Sequence, residues 1–148
     1  MTINIGDMMS KILEMIQETA SVQEAANKMK EKNVSSLVVV DNQNKPQGIV
    51  TERDLVRKAC IKDIRTSTVT LKEIMSSPII TIDSNASASK AVDMMLQHNV
   101  RHLLVVDKKN NDRDSKPIGM VTPLDIRSEE YTDDALRDSI EELSAYYR

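Results

Sequence analysis

Leu37-Val38-Val39-Val40-Asp41 returns 66 residues later as Leu103-Leu104-Val105-Val106-Asp107. Unbroken apolar runs of this length suit a strand buried on both faces rather than one with a wet side. Working outward at the same offset, Asn33-Val34 falls on Asn99-Val100, Ala20-Ser21 on Ala86-Ser87, and Met9-Ser10 on Met75-Ser76. Over residues 9–41 and 75–107, 13 of 33 aligned positions are identical, which marks an internal repeat. Beyond the strand the register slips by five residues, through the polar stretch Lys108 to Lys116. Pro46, Gly48, Val50, Thr51 and Asp54 then match Pro117, Gly119, Val121, Thr122 and Asp125. Insertions collect in surface loops, so the slip falls where the chain can absorb it.

Each copy predicts the same succession of elements. A short apolar strand comes first, over Ile12–Ile16 and over Ile79–Ile82. A serine then opens a helix: Ser21 with Glu24 spells a capping box, and Ser87 is a plain N-cap. Val22, Ala25, Ala26 and Met29 share one face of the first helix; Ala88, Ala91, Val92, Met95 and Leu96 share one face of the second. The buried strand follows, then a turn with Asn, Lys and Pro. A third strand (Gly48–Thr51; Gly119–Thr122) and a second helix complete the unit. One such unit of about 55 residues would leave an apolar sheet face bare, whereas two can cover each other. The fold class is therefore α/β: two tandem β-α-β-β-α repeats packed as one pseudo-twofold module, plus a C-terminal helix. The expected boundaries are residues 7–62 and 74–130 for the repeats, 63–73 for their connection, and 131–148 for an amphipathic tail helix. In that helix Leu136, Ile140, Leu143 and Tyr147 fall in line, ready to dock on the module or on a partner chain.

Composition narrows the function. The chain has 148 residues, a net charge of −3, no Phe and no Trp, and nine methionines. Its three tyrosines (Tyr131, Tyr146, Tyr147) sit in the last eighteen residues. A planar ligand would be gripped by Ile, Leu, Val and Met, which pack adaptably. No basic cluster with interleaved aromatics marks a nucleic-acid partner. No apolar run approaches the ~18 residues of a membrane span, and the start lacks the basic and apolar regions of a signal peptide. These features predict a cytoplasmic protein that binds neither nucleic acid nor membrane. The lone Cys60 reads as a small buried residue in a reducing compartment.

The matching segments GIVTERDL (Gly48–Leu55) and GMVTPLDI (Gly119–Ile126) keep the spacing G-x-x-T-x-x-D at a strand-to-helix turn. Glycine permits close approach of a ligand to the backbone. A threonine hydroxyl and free amides at a helix start can donate to phosphate, and a carboxylate one turn on can accept from a ribose diol. The same Thr-x-x-Asp spacing is equally a capping box, which needs no ligand. Pro123 suits a first helical residue.

Both halves resemble the cystathionine-β-synthase (CBS) domain, and the pair resembles the Bateman module that two such domains form. The likeness rests on the two Met-Ser pairs, the two Asn-Val pairs, the Leu-Val-Val-Val-Asp and Leu-Leu-Val-Val-Asp strands and the two G-x-x-T-x-x-D turns. It spans about Asp7 to Ser128. The resemblance implies two clefts that bind AMP, ADP or ATP, with magnesium able to accompany ATP and no resident cofactor. Asp would take the ribose hydroxyls, Thr would lie near ribose and phosphate, and the base would slot against the segment before the other repeat's first strand. One cleft would join Thr122 and Asp125 to Ser10, Lys11 and Ile12. The other would join Thr51 and Asp54 to Ser77, Pro78, Ile79 and Ile80. Before its buried strand the second repeat carries Arg101-His102, where similar family members hold phosphate; the first carries Ser35-Ser36. The cleft of Asp125 is therefore expected to be the stronger phosphate site, with Arg53 able to supply charge to the other.

No His pair, Cys–His pair or Walker-type glycine loop assembles into catalytic machinery. The expectation is a non-catalytic homodimeric sensor that signals energy status to a separate, unidentified protein. Two alternatives remain: a ligand-independent dimerisation protein whose motifs are only caps, and a sensor of S-adenosylmethionine. Arg101 counts against the second, because a sulfonium ligand gains nothing from it.

Overall fold

The computed structural model describes residues 3–107, 116–126 and 134–145. It divides into two compact units, one of Leu13–Ile79 and one of Met1–Ile12 with Ile80–Arg148. In the first unit, β1 (Met15–Gln17) is followed by α2 (Val22–Lys32), β2 (Ser36–Val40) and β3 (Pro46–Thr51). A single helical turn, α3 (Glu52–Asp54), runs into a π turn over Leu55–Cys60, and α4 (Leu71–Ile74) closes the unit. The second unit starts with α1 (Ile5–Met8) and continues with β4 (Thr81–Asp83), α5 (Ala88–His98), β5 (Leu103–Asp107) and β6 (Lys116–Val121). It ends with α6 (Pro123–Ile126) and α7 (Asp134–Ala145).

The two sheets are built alike. β2 lies between β1, which it meets in parallel at Met15↔Val38, and β3, which it meets antiparallel at Leu37↔Val50. β5 lies between β4 (Thr81↔Leu104) and β6 (Leu103↔Val121) in the same senses. Each antiparallel pair carries a register shift, at Val39/Val40 and at Val105/Val106. The shift lets Pro46 and Pro117, which lack an N–H, sit on edge strands without leaving a ladder bond unmade. As the unbroken runs predicted, Leu37 to Val40 and Leu103 to Val106 are all buried.

Capping residues fix where the helices begin and end. Ser21 Oγ accepts from the Glu24 N–H (3.1 Å) and Glu24 accepts from the Ser21 N–H (2.7 Å), the expected capping box. Ser87 Oγ accepts from the Lys90 N–H at 3.1 Å. The repeated Asn33 and Asn99 are left-handed C-caps, with φ of 53° and 52°, a conformation that asparagine tolerates better than most residues.

Several expectations are corrected. The first strands are shorter and begin later than Ile12–Ile16 and Ile79–Ile82, because pairing with the central strand starts only at Met15 and at Thr81. Ile12 itself is 67% exposed, and Pro78 offers no N–H to a ladder. The third strands start earlier, at Pro46 and Lys116, once the bulge is included. Ala26 is exposed, at the margin of the α2 face that Val22, Ala25 and Met29 bury; Leu96 likewise lies at the margin of α5, 38% exposed. Cys60 is exposed, not buried, since the neighbouring Ala59 takes the inward position of that turn.

The tail helix docks within the second unit. Leu136, Ile140 and Leu143 join its core, while Tyr147 lies outside the described residues. The short helices α1 and α4 cross over in sequence. α1 precedes β1 yet sits in the second unit, where the Ile5 and Gly6 N–H groups donate to Ala86 and Ser84 carbonyls. α4 precedes β4 yet sits in the first unit, with Leu71 N–H donating to Ala20 O and Leu71 fully buried.

Candidate functional site

The crossing-over of α1 and α4 builds two corresponding sites. After α4, Ser76 pairs with Ile49 on β3 through two backbone bonds, of 3.0 and 2.9 Å. After α1, Ser10 pairs with Met120 on β6 through two bonds of 2.9 Å. This contact explains the repeated glycines. A Cβ on Gly48 would stand 2.6 Å from Ser76 O and 3.0 Å from Met75 Sδ; one on Gly119 would stand 2.7 Å from Ser10 O and 2.6 Å from Met9 Sδ. The glycine of G-x-x-T-x-x-D thus makes room for the chain's own Met-Ser segment, where the sequence suggested room for a ligand. The pairing brings the Ser76 hydroxyl to Asp54 and sets Ser10 opposite Met120, two residues before Thr122, each within one unit.

Both Thr-x-x-Asp turns are caps. Asp54 Oδ2 accepts from the Thr51 N–H (3.0 Å) and hydroxyl (3.1 Å), and Thr51 Oγ1 accepts from the Asp54 N–H at 3.1 Å. Asp125 Oδ2 accepts from the Thr122 N–H (2.8 Å) and hydroxyl (3.2 Å). Capping therefore uses one carboxylate oxygen in each copy, and the copies part at the other oxygen. Asp54 Oδ1 is taken by Lys58 Nζ (3.3 Å) and by the Ser76 hydroxyl (3.4 Å). Asp125 Oδ1 has no protein partner among the described residues. The Ser10 hydroxyl, counterpart of Ser76, instead accepts from the Ile12 N–H at 3.3 Å.

The basic pair lies next to the second turn. β5 meets β6 at Leu103↔Val121, so continuing that register by one residue sets His102 across from Thr122. Arg101 Nη1 hydrogen-bonds Asn99 Oδ1 (3.5 Å) and Val100 O (3.4 Å), and both Arg101 and His102 are half-buried. In the first unit the Glu52 N–H donates to Ser35 O at 3.0 Å; Pro123 replaces that donor in the second.

A family model for the CBS domain matches residues 5–60 and 71–131, most of the chain. The chain belongs to the CBS-domain family. Its two CBS repeats form a pair of the regulatory, non-catalytic kind. It is 31% identical to the uncharacterized protein YlbB of Bacillus subtilis, over 95% of this chain and 90% of that one. A crystal structure of a conserved protein from Pyrococcus horikoshii superposes with a TM-score of 0.73 at 26% identity, covering 90% of this chain and 98% of the other. The CBS pair of protein MJ0100, crystallised with 5-methylthioadenosine and S-adenosyl-L-methionine, gives a TM-score of 0.69 at 28% identity over 83% and 95%. The chain spans 61, 54 and 30% of the length of three other curated relatives.

Within the first CBS repeat's unit, Ser77 and Pro78 are exposed and Ile79 half-buried, alongside Thr51 and Asp54. Ile80 is assigned to the other unit, where its carbonyl accepts from the Leu104 N–H and its side chain packs on the second core. Within the second repeat's unit, Lys11 and Ile12 are exposed beside Ser10. Lys58, which bonds Asp54 and the Ser76 hydroxyl, is a residue of this turn that sequence reading missed, having considered Arg53 as the local charge. Its signal was available, because an acid four residues before a lysine on a helix is a standard ion pair. No described helix is long and apolar enough to cross a membrane, and no group of three metal-ligating side chains occurs among the described residues.

Proposed function

We propose that this CBS pair is a sensor of adenine nucleotides, AMP, ADP or ATP, bound chiefly at the second repeat, and that occupancy is read by a separate partner protein. The carrying observation is Asp125: one carboxylate oxygen caps Thr122, while the other, without a protein partner among the described residues, suits a ribose diol. Ser10 to Ile12 line the approach, and Arg101 supplies a cation for phosphate, which guanidinium binds strongly, with His102 next to it in the chain. Exposed Ile12 and Leu124, at 67 and 59%, offer the apolar contact that a base needs where no aromatic ring is at hand. Linkage then follows: a nucleotide that prefers one arrangement of the chain shifts it by the difference in affinity, typically 1–3 kcal/mol. A homodimer is part of this reading, by resemblance to the family.

A second reading takes S-adenosylmethionine or a related thioether nucleoside as ligand. It is favoured by the ligands in the MJ0100 pair and disfavoured by Arg101.

Thermal unfolding with AMP, ADP, ATP, GTP and S-adenosylmethionine tests both. A ligand at about 100 times its Kd adds ~2.7 kcal/mol, roughly 5–10 °C for a chain of this size. The proposal expects a rise with adenine phosphates that vanishes in Asp125→Ala and survives in Asp54→Ala. A rise with S-adenosylmethionine alone selects the second reading. No rise with any of the five leaves both turns as caps and the chain as an interaction protein.

A further inference from the structure

We propose that Lys58 is a built-in occupant of the first repeat's site and keeps nucleotide out of it. The inference rests on the nucleotide reading above. An ammonium group has three N–H donors, and Lys58 spends all three inside the protein. Nζ reaches Ile74 O at the end of α4 (3.0 Å), the Ser76 hydroxyl (3.2 Å) and Asp54 Oδ1 (3.3 Å). Asp54 is saturated in turn, with Oδ2 capping Thr51 and Oδ1 shared by Lys58 and Ser76. The Asp54 side chain is 14% exposed and that of Lys58 37%, so the carboxylate is shielded while the ammonium is still partly screened by solvent.

A ribose diol arriving at Asp54 would have to displace a charge-assisted bond, the stronger kind, with a neutral one. It would also strip the ammonium of a partner while two of its three acceptors hold it in place. Nor is Lys58 a ready phosphate ligand, since no donor is left to give. The π turn over Leu55–Cys60 and the α4 carbonyl fix its position from two sides.

The sequence of the second repeat does not carry this lysine. Glu129 stands at the position aligned with Lys58, and an acid cannot supply such an ammonium. Two turns with one motif therefore differ in occupancy: Lys58 fills the first from within, and the second is left for the ligand.

Calorimetric titration with AMP and with ATP tests this on four proteins: wild type, Lys58→Met, Asp125→Ala and the double variant. Methionine keeps the alkyl stem and removes the charge; Lys58→Gln serves in its place if Lys58→Met does not melt cooperatively. The proposal expects one nucleotide per chain in wild type, two in Lys58→Met, none in Asp125→Ala, and one regained in the double variant. Two per chain in wild type overturns the gating role and leaves the nucleotide reading intact. So does a double variant that stays silent while wild type binds one. Silence in all four, with both nucleotides, overturns the inference and the nucleotide reading together.

Discussion

The turn after β3 and the turn after β6 share a motif, a cap and a bridging segment, yet their aspartates are in different states. Asp54 is closed on both oxygens, whereas Asp125 uses one for its cap. Four residues further along the sequence the repeats carry Lys58 and Glu129. A repeat conserves a fold through its caps and glycines, and it diverges in function through the next residue outward. The second unit also differs in bulk. It alone carries an extra helix, α7, packed against α5 and against α6, which holds Asp125.

The largest test of this contrast removes α7's anchor. Leu143 is fully buried in the second core, and truncating such a leucine costs about 2–5 kcal/mol, depending on how far the site collapses. Leu143→Ala should lower the urea midpoint markedly. It should also weaken nucleotide-induced stabilisation, because α6 loses its support. A loss under ~1 kcal/mol would mean that the tail merely rests on the surface.

A smaller effect should be equal in both repeats. Gly48→Ala and Gly119→Ala each drive a methyl against a backbone carbonyl, Ser76 O at 2.6 Å or Ser10 O at 2.7 Å. Overpacking of this kind costs about 1–3 kcal/mol, and neither carbonyl can swing away as a side-chain tip would. Matched losses in thermal unfolding would place the Met-Ser and glycine pairing among the shared, structural features. If one variant were neutral, that repeat would have slack at its bridge.

Much of this was readable in the sequence. Leu37 to Val40 and Leu103 to Val106 declared central strands because burial on both faces removes alternation. Ser21 and Ser87 declared helix starts because capping is a local matter. What escaped depended on distance in the chain. Nothing local distinguishes a glycine that admits a ligand from one that admits Met75 and Ser76, and only the bridge itself decides. The exposure of Cys60 escaped because a π turn alters which residue faces inward. Lys58 was half legible: its spacing from Asp54 was in plain sight, but its bond to the carbonyl of Ile74 spans sixteen residues. The repeat alignment, which guided so much, hid it, because its counterpart is an acid.

The finest test asks whether the two aspartates differ without any ligand. Three residues into the helix an amide oxygen can accept the same bond from the cap N–H as a carboxylate does, so Asp125→Asn should lose little in the unliganded protein. Asp54→Asn loses the charge that faces Lys58 as well. That pair is only partly shielded, with Lys58 37% exposed, so its worth is that of a surface ion pair, about 0.2–1 kcal/mol. The expected gap between the two variants is then roughly 1–3 °C in Tm. Added salt should narrow it, since screening weakens partly exposed pairs first. Equal losses at all salt concentrations would show that Lys58 and Asp54 are neighbours without coupling. The first site would then be closed by packing alone, and a neutral side chain at position 58 would close it equally well.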